Sequence, residues 1–109
     1  ISLGLVGSEM CIRDSRLTLD LGHKSVAAEN PHPRVRFEEL RDAKAVMQSE
    51  EHLVLDTEHA HAFTIGQALH GVPLHVCPSV ALHGEAVVIA DGRVSERWPI
   101  PARNRKITV

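Results

Sequence analysis

The sequence predicts a mainly β protein, a small β barrel or sandwich, and three observations carry that expectation. Apolar residues recur at every second position in several short runs, the period of a half-buried strand. Those runs are separated by Gly, Pro and Asp, which interrupt a chain rather than cap helices. The clearest case is "EAVVIADGRVSERWPI", two β-rich segments joined by Asp91-Gly92.

In chain order, "RLTLDLG" puts Leu17, Leu19 and Leu21 on one face and Thr18 and Asp20 on the other, as a strand with one buried side would. In "ENPHPR", Pro31 and Pro33 preclude continuous ladder pairing and mark a loop. "RVRF" restarts the alternation at Val35 and Phe37. The stretch "EELRDAKAVMQSEE" is the sole candidate for a helix, but its apolar positions fit a 3.6-residue period poorly, so helix is the lesser expectation there. "HLVLDT" reads as a strand and "TEHAH" as a loop. "FTIGQALHGVPLHVC" reads as two short strands around Gly66 and Gly71, closed by Pro78. Asp91-Gly92 suits the positive-φ positions of a type I′ turn, which makes the last two segments a hairpin. There is no internal repeat, Gly-rich phosphate loop or apolar run long enough to cross a bilayer.

The chain has 109 residues and a formal net charge of −2, which gives no electrostatic footprint for nucleic acid or an anionic membrane. Aromatic residues make up only 3% of it, too few for base-stacking platforms. The opening "ISLGLVGSEMCIRDS" breaks with everything that follows. Its apolar run, Ile1 to Val6, lacks a basic flank and falls short of the ~7–15 residues of a signal-peptide core. Leu5 to Asp14 resembles the in-frame translation of a transposase adapter used in sequencing libraries. Residues 1–15 are therefore set aside as a non-native segment, and 16–109 are taken as the native domain. That domain begins without Met in mid-alternation and reads as the C-terminal piece of a longer chain. Cys77 is then the only native cysteine, so no intrachain disulfide is expected and a reducing, cytoplasmic compartment is the simplest inference.

Eight histidines raise the question of metal. His32, His59, His61 and His83 sit in polar or turn contexts and read as solvated loop residues, with His59 and His61 a weak chelating pair at most. His70 precedes Gly71 without a visible partner, and His23 has only Lys24 beside it. Lys24 is a conceivable Schiff-base lysine, although a surface lysine at a strand end is the stronger reading. His75-Val76-Cys77-Pro78 is different. On an extended strand, residues two apart project from the same face about 6.6 Å apart, so an imidazole and a thiolate could converge on one ion. Such a pair prefers Zn²⁺ to harder cations. Two protein ligands would leave positions open, the pattern of a catalytic rather than a structural site. The alternative is a core cysteine beside a partly buried histidine.

Four segments, "LDLGHKSVAAENP", "QSEEHLVL", "GVPLHVCPSVAL" and "WPIPARNRKI", occur in an order that resembles the C-terminal domain shared by D-threonine aldolases and eukaryotic-type D-serine dehydratases. The resemblance implies a two-domain lyase whose N-terminal barrel carries pyridoxal phosphate (PLP) on a lysine, and that lysine maps onto nothing in this chain. It implies that His75 and Cys77 bind Zn²⁺ or Mn²⁺, and that Glu51 or His52, in a segment near the family's active site, orients the metal or the substrate. A surface turn is the competing reading of that segment. The cofactor would act as an electron sink for charge at Cα, and the metal would lower the pKa of the β-hydroxyl of a small D-amino acid. An aldolase would then cleave Cα–Cβ, whereas a dehydratase would expel the hydroxyl. The overall look favours the aldolase-like branch, while Cys77 stands where many aldolases have Asp. A homodimer is implied for the full-length enzyme. A second reading, from the histidine richness, is a stand-alone, non-catalytic metal-binding β domain.

Overall fold

The computed structural model describes residues 3–6 and 15–108, the first group by backbone pairing alone. Most of the 1–15 segment set aside above thus lies outside the described residues. The strands are β1 (Leu3–Val6), β2 (Arg16–Leu19), β3 (Val35–Phe37), β4 (Lys44–Gln48), β5 (Leu53–Asp56), β6 (Ala68–Pro73), β7 (Glu85–Ala90) and β8 (Arg93–Pro99). A short α-helix, α1 (Val76–Val80), follows β6. The protein is mainly β, as its alternation predicts. Among the described residues the strand pairs are antiparallel and form two three-stranded sheets, ordered β2-β5-β4 and β1-β6-β3, plus the β7-β8 hairpin.

The two three-stranded sheets share one core. Leu17 and Leu19 of β2, Leu53 and Leu55 of β5, Val35 and Phe37 of β3 and Leu69 of β6 meet in it, joined by Leu21, Val26 and Leu40. These are the inward positions of the alternating runs, so the pattern and the burial agree residue by residue. The hairpin contributes nothing to this core, and Val87, Ile89, Val94 and Trp98 remain exposed. Its turn matches expectation: Asp91 and Gly92 both adopt positive φ, 51° and 73°, the requirement of a type I′ connection.

One open reading is decided and one expectation needs correction. The one candidate helical stretch holds the edge strand β4, which carries a bulge between Ala45 and Met47. The extra residue, Val46, breaks the period-2 rhythm, which is why the stretch reads as neither strand nor helix from sequence. Further along, "FTIGQALHGVPLHVC" is not two strands. Residues 64–67 form a turn, with Gly66 at φ 85°, and β6 runs unbroken through Gly71 to Pro73. The chain then coils into α1, with Pro78 inside its first turn. Proline is tolerated there because the amides of a first turn have no intrahelical acceptor to lose.

Candidate metal centre

The expected pair sits at the junction of β6 and α1. His75 is the N-cap residue, in extended conformation at φ −117° and ψ 98°, and Cys77 lies in the helix. The premise that both project from one strand is therefore corrected: the strand ends at Pro73, and residues 75 and 77 fall within one turn of chain. Cys77 is a free, exposed thiol, and the His75 side chain is about half exposed, 49%.

A long loop, residues 22–34, fixes this junction from the other side. Ser79 is completely buried; its hydroxyl donates to the His75 carbonyl at 2.8 Å and accepts the Ala27 amide at 3.0 Å. A hydroxyl is both donor and acceptor on one oxygen, so a single side chain makes this double tie. His83 Nε2 meets the Ser25 carbonyl at 2.8 Å. At the far end of the loop, the Glu29 carboxylate hydrogen-bonds His75 Nδ1. Glu29's own backbone amide, and then the hydrogen bond and charge of His75, hold its carboxyl below the usual range against partial desolvation. Arg34 braces the segment next to Glu29, donating through Nε to the Asn30 carbonyl at 2.7 Å and through a terminal nitrogen to Gln48 at 2.8 Å. His75 also lines a cleft of about 270 Å³ together with Ala27, Asn30, Arg34 and Leu74.

Because the Ser79 hydroxyl satisfies a buried amide, its removal has a calculable cost. Ser79→Ala leaves the Ala27 N–H unpartnered and is expected to destabilise the domain by about 1–3 kcal/mol. Urea unfolding should show a lower midpoint at unchanged slope; an unchanged midpoint would mean that the amide finds water instead.

The remaining candidates fall elsewhere. The turn 49–52 joins β4 to β5, closed by the Ser49 amide on the His52 carbonyl at 2.8 Å. In it Glu51 is paired with Lys24 at 2.6 Å, and Glu50 with the same ammonium at 3.1 Å. The hydrogen bonds to Glu51 first, and to Glu50 second, raise the Lys24 pKa, so this lysine is a surface ion-pair partner. Among the described residues no three His, Cys, Asp or Glu side chains are grouped to hold an ion, so Glu51 and His52 do not join His75 and Cys77 in such a group. His59 and His61 are exposed, as expected. His70 does have a partner, Glu39, at 3.0 Å. His32 and His83 are half-buried rather than solvated. His32 Nδ1 is buried without a partner, and desolvation, aided by the charge of Arg34, lowers its pKa.

Glu29 and Ser79 are the residues that sequence reasoning missed. Glu29 lies 46 positions from His75, and no local spacing rule links residues that far apart.

By donor chemistry the two side chains suit zinc: an imidazole with Nδ1 already engaged and a cleft beside it, and an accessible thiol two residues on. Comparison with known proteins gives this small β domain its family. A family model described as "Putative serine dehydratase domain" matches residues 9–89, and the chain belongs to that family. It is 39% identical to a D-threonine aldolase from Arthrobacter sp over 89 residues, 81% of this chain and 23% of the aldolase. It superposes on the crystal structure of D-threonine aldolase from Filomicrobium marinum with a TM-score of 0.77 and 25% identity, covering 93% of this chain and 27% of that one. An uncharacterised Mycobacterium tuberculosis protein is 30% identical over 94 residues, 83% of this chain and 71% of its own length. The chain thus spans about a quarter of the length of the aldolases it matches.

Proposed function

We propose that this chain is the metal-binding C-terminal domain of a PLP-dependent, D-threonine aldolase-like lyase acting on small D-β-hydroxy-amino acids. The observation that carries the reading is the likeness to two D-threonine aldolases, one by sequence and one by fold. The junction supports it chemically. His75 and Cys77 would hold Zn²⁺ or Mn²⁺ through the imidazole and the thiolate, the thiolate favouring zinc. When bound, the ion would supply Lewis acidity toward the substrate hydroxyl, and PLP, held by a separate barrel domain, would supply the electron sink. The cleft beside His75 gives a small amino acid room at this point. D-serine dehydratase chemistry is the alternative within the same reading. A cytoplasmic setting accords with the free thiol of Cys77, and a homodimer is carried over from the family resemblance alone. No helix among the described residues is long and apolar enough to cross a membrane.

The second reading, a stand-alone non-catalytic metal-binding domain, draws on the eight histidines and on the mycobacterial relative, of whose length the shared stretch makes up 71%. The genomic reading frame upstream separates the two, since the first requires an in-frame barrel with a cofactor lysine.

The lyase reading also predicts how this chain behaves alone. Schiff-base formation needs a neutral amine, and Lys24 is held protonated by Glu51 and Glu50. Incubation with PLP followed by borohydride should therefore leave no specific lysine adduct by mass spectrometry. A stoichiometric adduct on Lys24 would make that lysine the functional one and remove the need for a separate cofactor domain.

A further inference from the structure

We propose that Glu29 is a positioning residue for the half-site, fixing the ring of His75 so that Nε2 is the nitrogen offered to the ion. The inference rests on the proposed metal-binding role of His75 and Cys77, and deepens it. A carboxylate can only accept a hydrogen bond, so the Nδ1 that meets Glu29 must be the donor. In the neutral imidazole that places the single proton on Nδ1 and leaves the Nε2 lone pair free for a metal. The arrangement is the carboxylate–histidine pairing by which metal-binding histidines are held in one tautomer and orientation.

Three features separate this contact from an ordinary surface pair. It closes a loop across 46 residues. The loop is independently anchored on both sides of Glu29, by the Ala27 amide on the buried Ser79 and by Arg34 on Gln48 of β4. The histidine it reaches caps the very turn that carries Cys77. The pairs His70 with Glu39 and His59 with Asp42 have no thiol two residues away, and they serve as internal controls.

The test uses the whole chain and two readouts. Long-range ¹H–¹⁵N spectra of the metal-free protein should show His75 protonated on Nδ1, and Glu29→Ala should move the proton to Nε2, with Glu29→Gln, a neutral acceptor, keeping Nδ1–H. Competition for Zn²⁺ against a chromophoric chelator should show Glu29→Ala binding about 10–100-fold more weakly, and Glu39→Ala binding as the parent does. His75 found as the Nε2–H tautomer in the parent, or unchanged zinc affinity in Glu29→Ala while His75→Ala loses it, overturns the role of Glu29 alone. Zinc affinity unchanged in His75→Ala overturns the half-site reading beneath it.

Discussion

Gly22→Ala should be among the most disruptive single-methyl additions in the chain. A Cβ on residue 22 would lie 1.9 Å from the Glu50 carbonyl oxygen, 2.0 Å from its carbon and 2.2 Å from the Glu51 nitrogen. These are backbone atoms of the turn 49–52, so no rotamer change can make room. The loop must instead retreat from the turn, which breaks the His23 amide bond to the Ser49 carbonyl at 2.9 Å and that of Lys24 to Glu50 at 3.2 Å. Overpacking alone costs about 1–3 kcal/mol, and two lost backbone bonds add roughly 0.5–1.5 kcal/mol each. The sum, roughly 2–6 kcal/mol, is a large part of the ~5–15 kcal/mol that holds a typical domain folded. Thermal and urea unfolding should show a Tm and midpoint far below the parent's. A loss under about 1 kcal/mol would mean that the loop and the turn are not in contact in solution.

The same loop shows what a sequence does and does not disclose. Leu17, Leu19 and Leu21 announce their shared face through alternation because burial in a sheet follows the pleat, and the pleat is local. Asp91-Gly92 announces its turn because the required φ values belong to those two residues. The bulge at Val46 hides β4 for the opposite reason: one unpaired residue shifts the alternation and erases the local signal. The strand-to-helix switch before α1 is hidden too, because Pro78 reads as a terminator until the helix start is known to need no amide there. Glu29, Ser79 and Gly22 owe their importance to partners far along the chain, and only the assembled fold reveals those. His75 and Cys77 stand out in the sequence as a candidate pair by donor chemistry and by family resemblance. Their geometry does not, since the i, i+2 argument presumes a strand that ends before either residue.

The change in geometry alters what the pair should do, and this leads to the largest expected effect on activity. We take as parent a chimera in which residues 16–109 replace the matching stretch of the Arthrobacter D-threonine aldolase. There, under the proposed function, Cys77→Ala should lower metal-dependent turnover by roughly 10²–10⁴-fold, since a metal acting as Lewis acid contributes several kcal/mol and each 1.36 kcal/mol is tenfold in rate. The cofactor's absorbance should be unchanged, because Cys77 is exposed and outside the packed core. Cys77→Asp separates ligation from packing. An exposed site tolerates the carboxylate sterically, and a harder oxygen donor moves preference from zinc toward manganese. That variant should regain turnover with Mn²⁺ more than with Zn²⁺, whereas a purely structural cysteine would respond equally to both metals. Full parental turnover in Cys77→Ala would remove the thiolate from the site and leave His75, with Glu29 behind it, as the only candidate ligand at this junction.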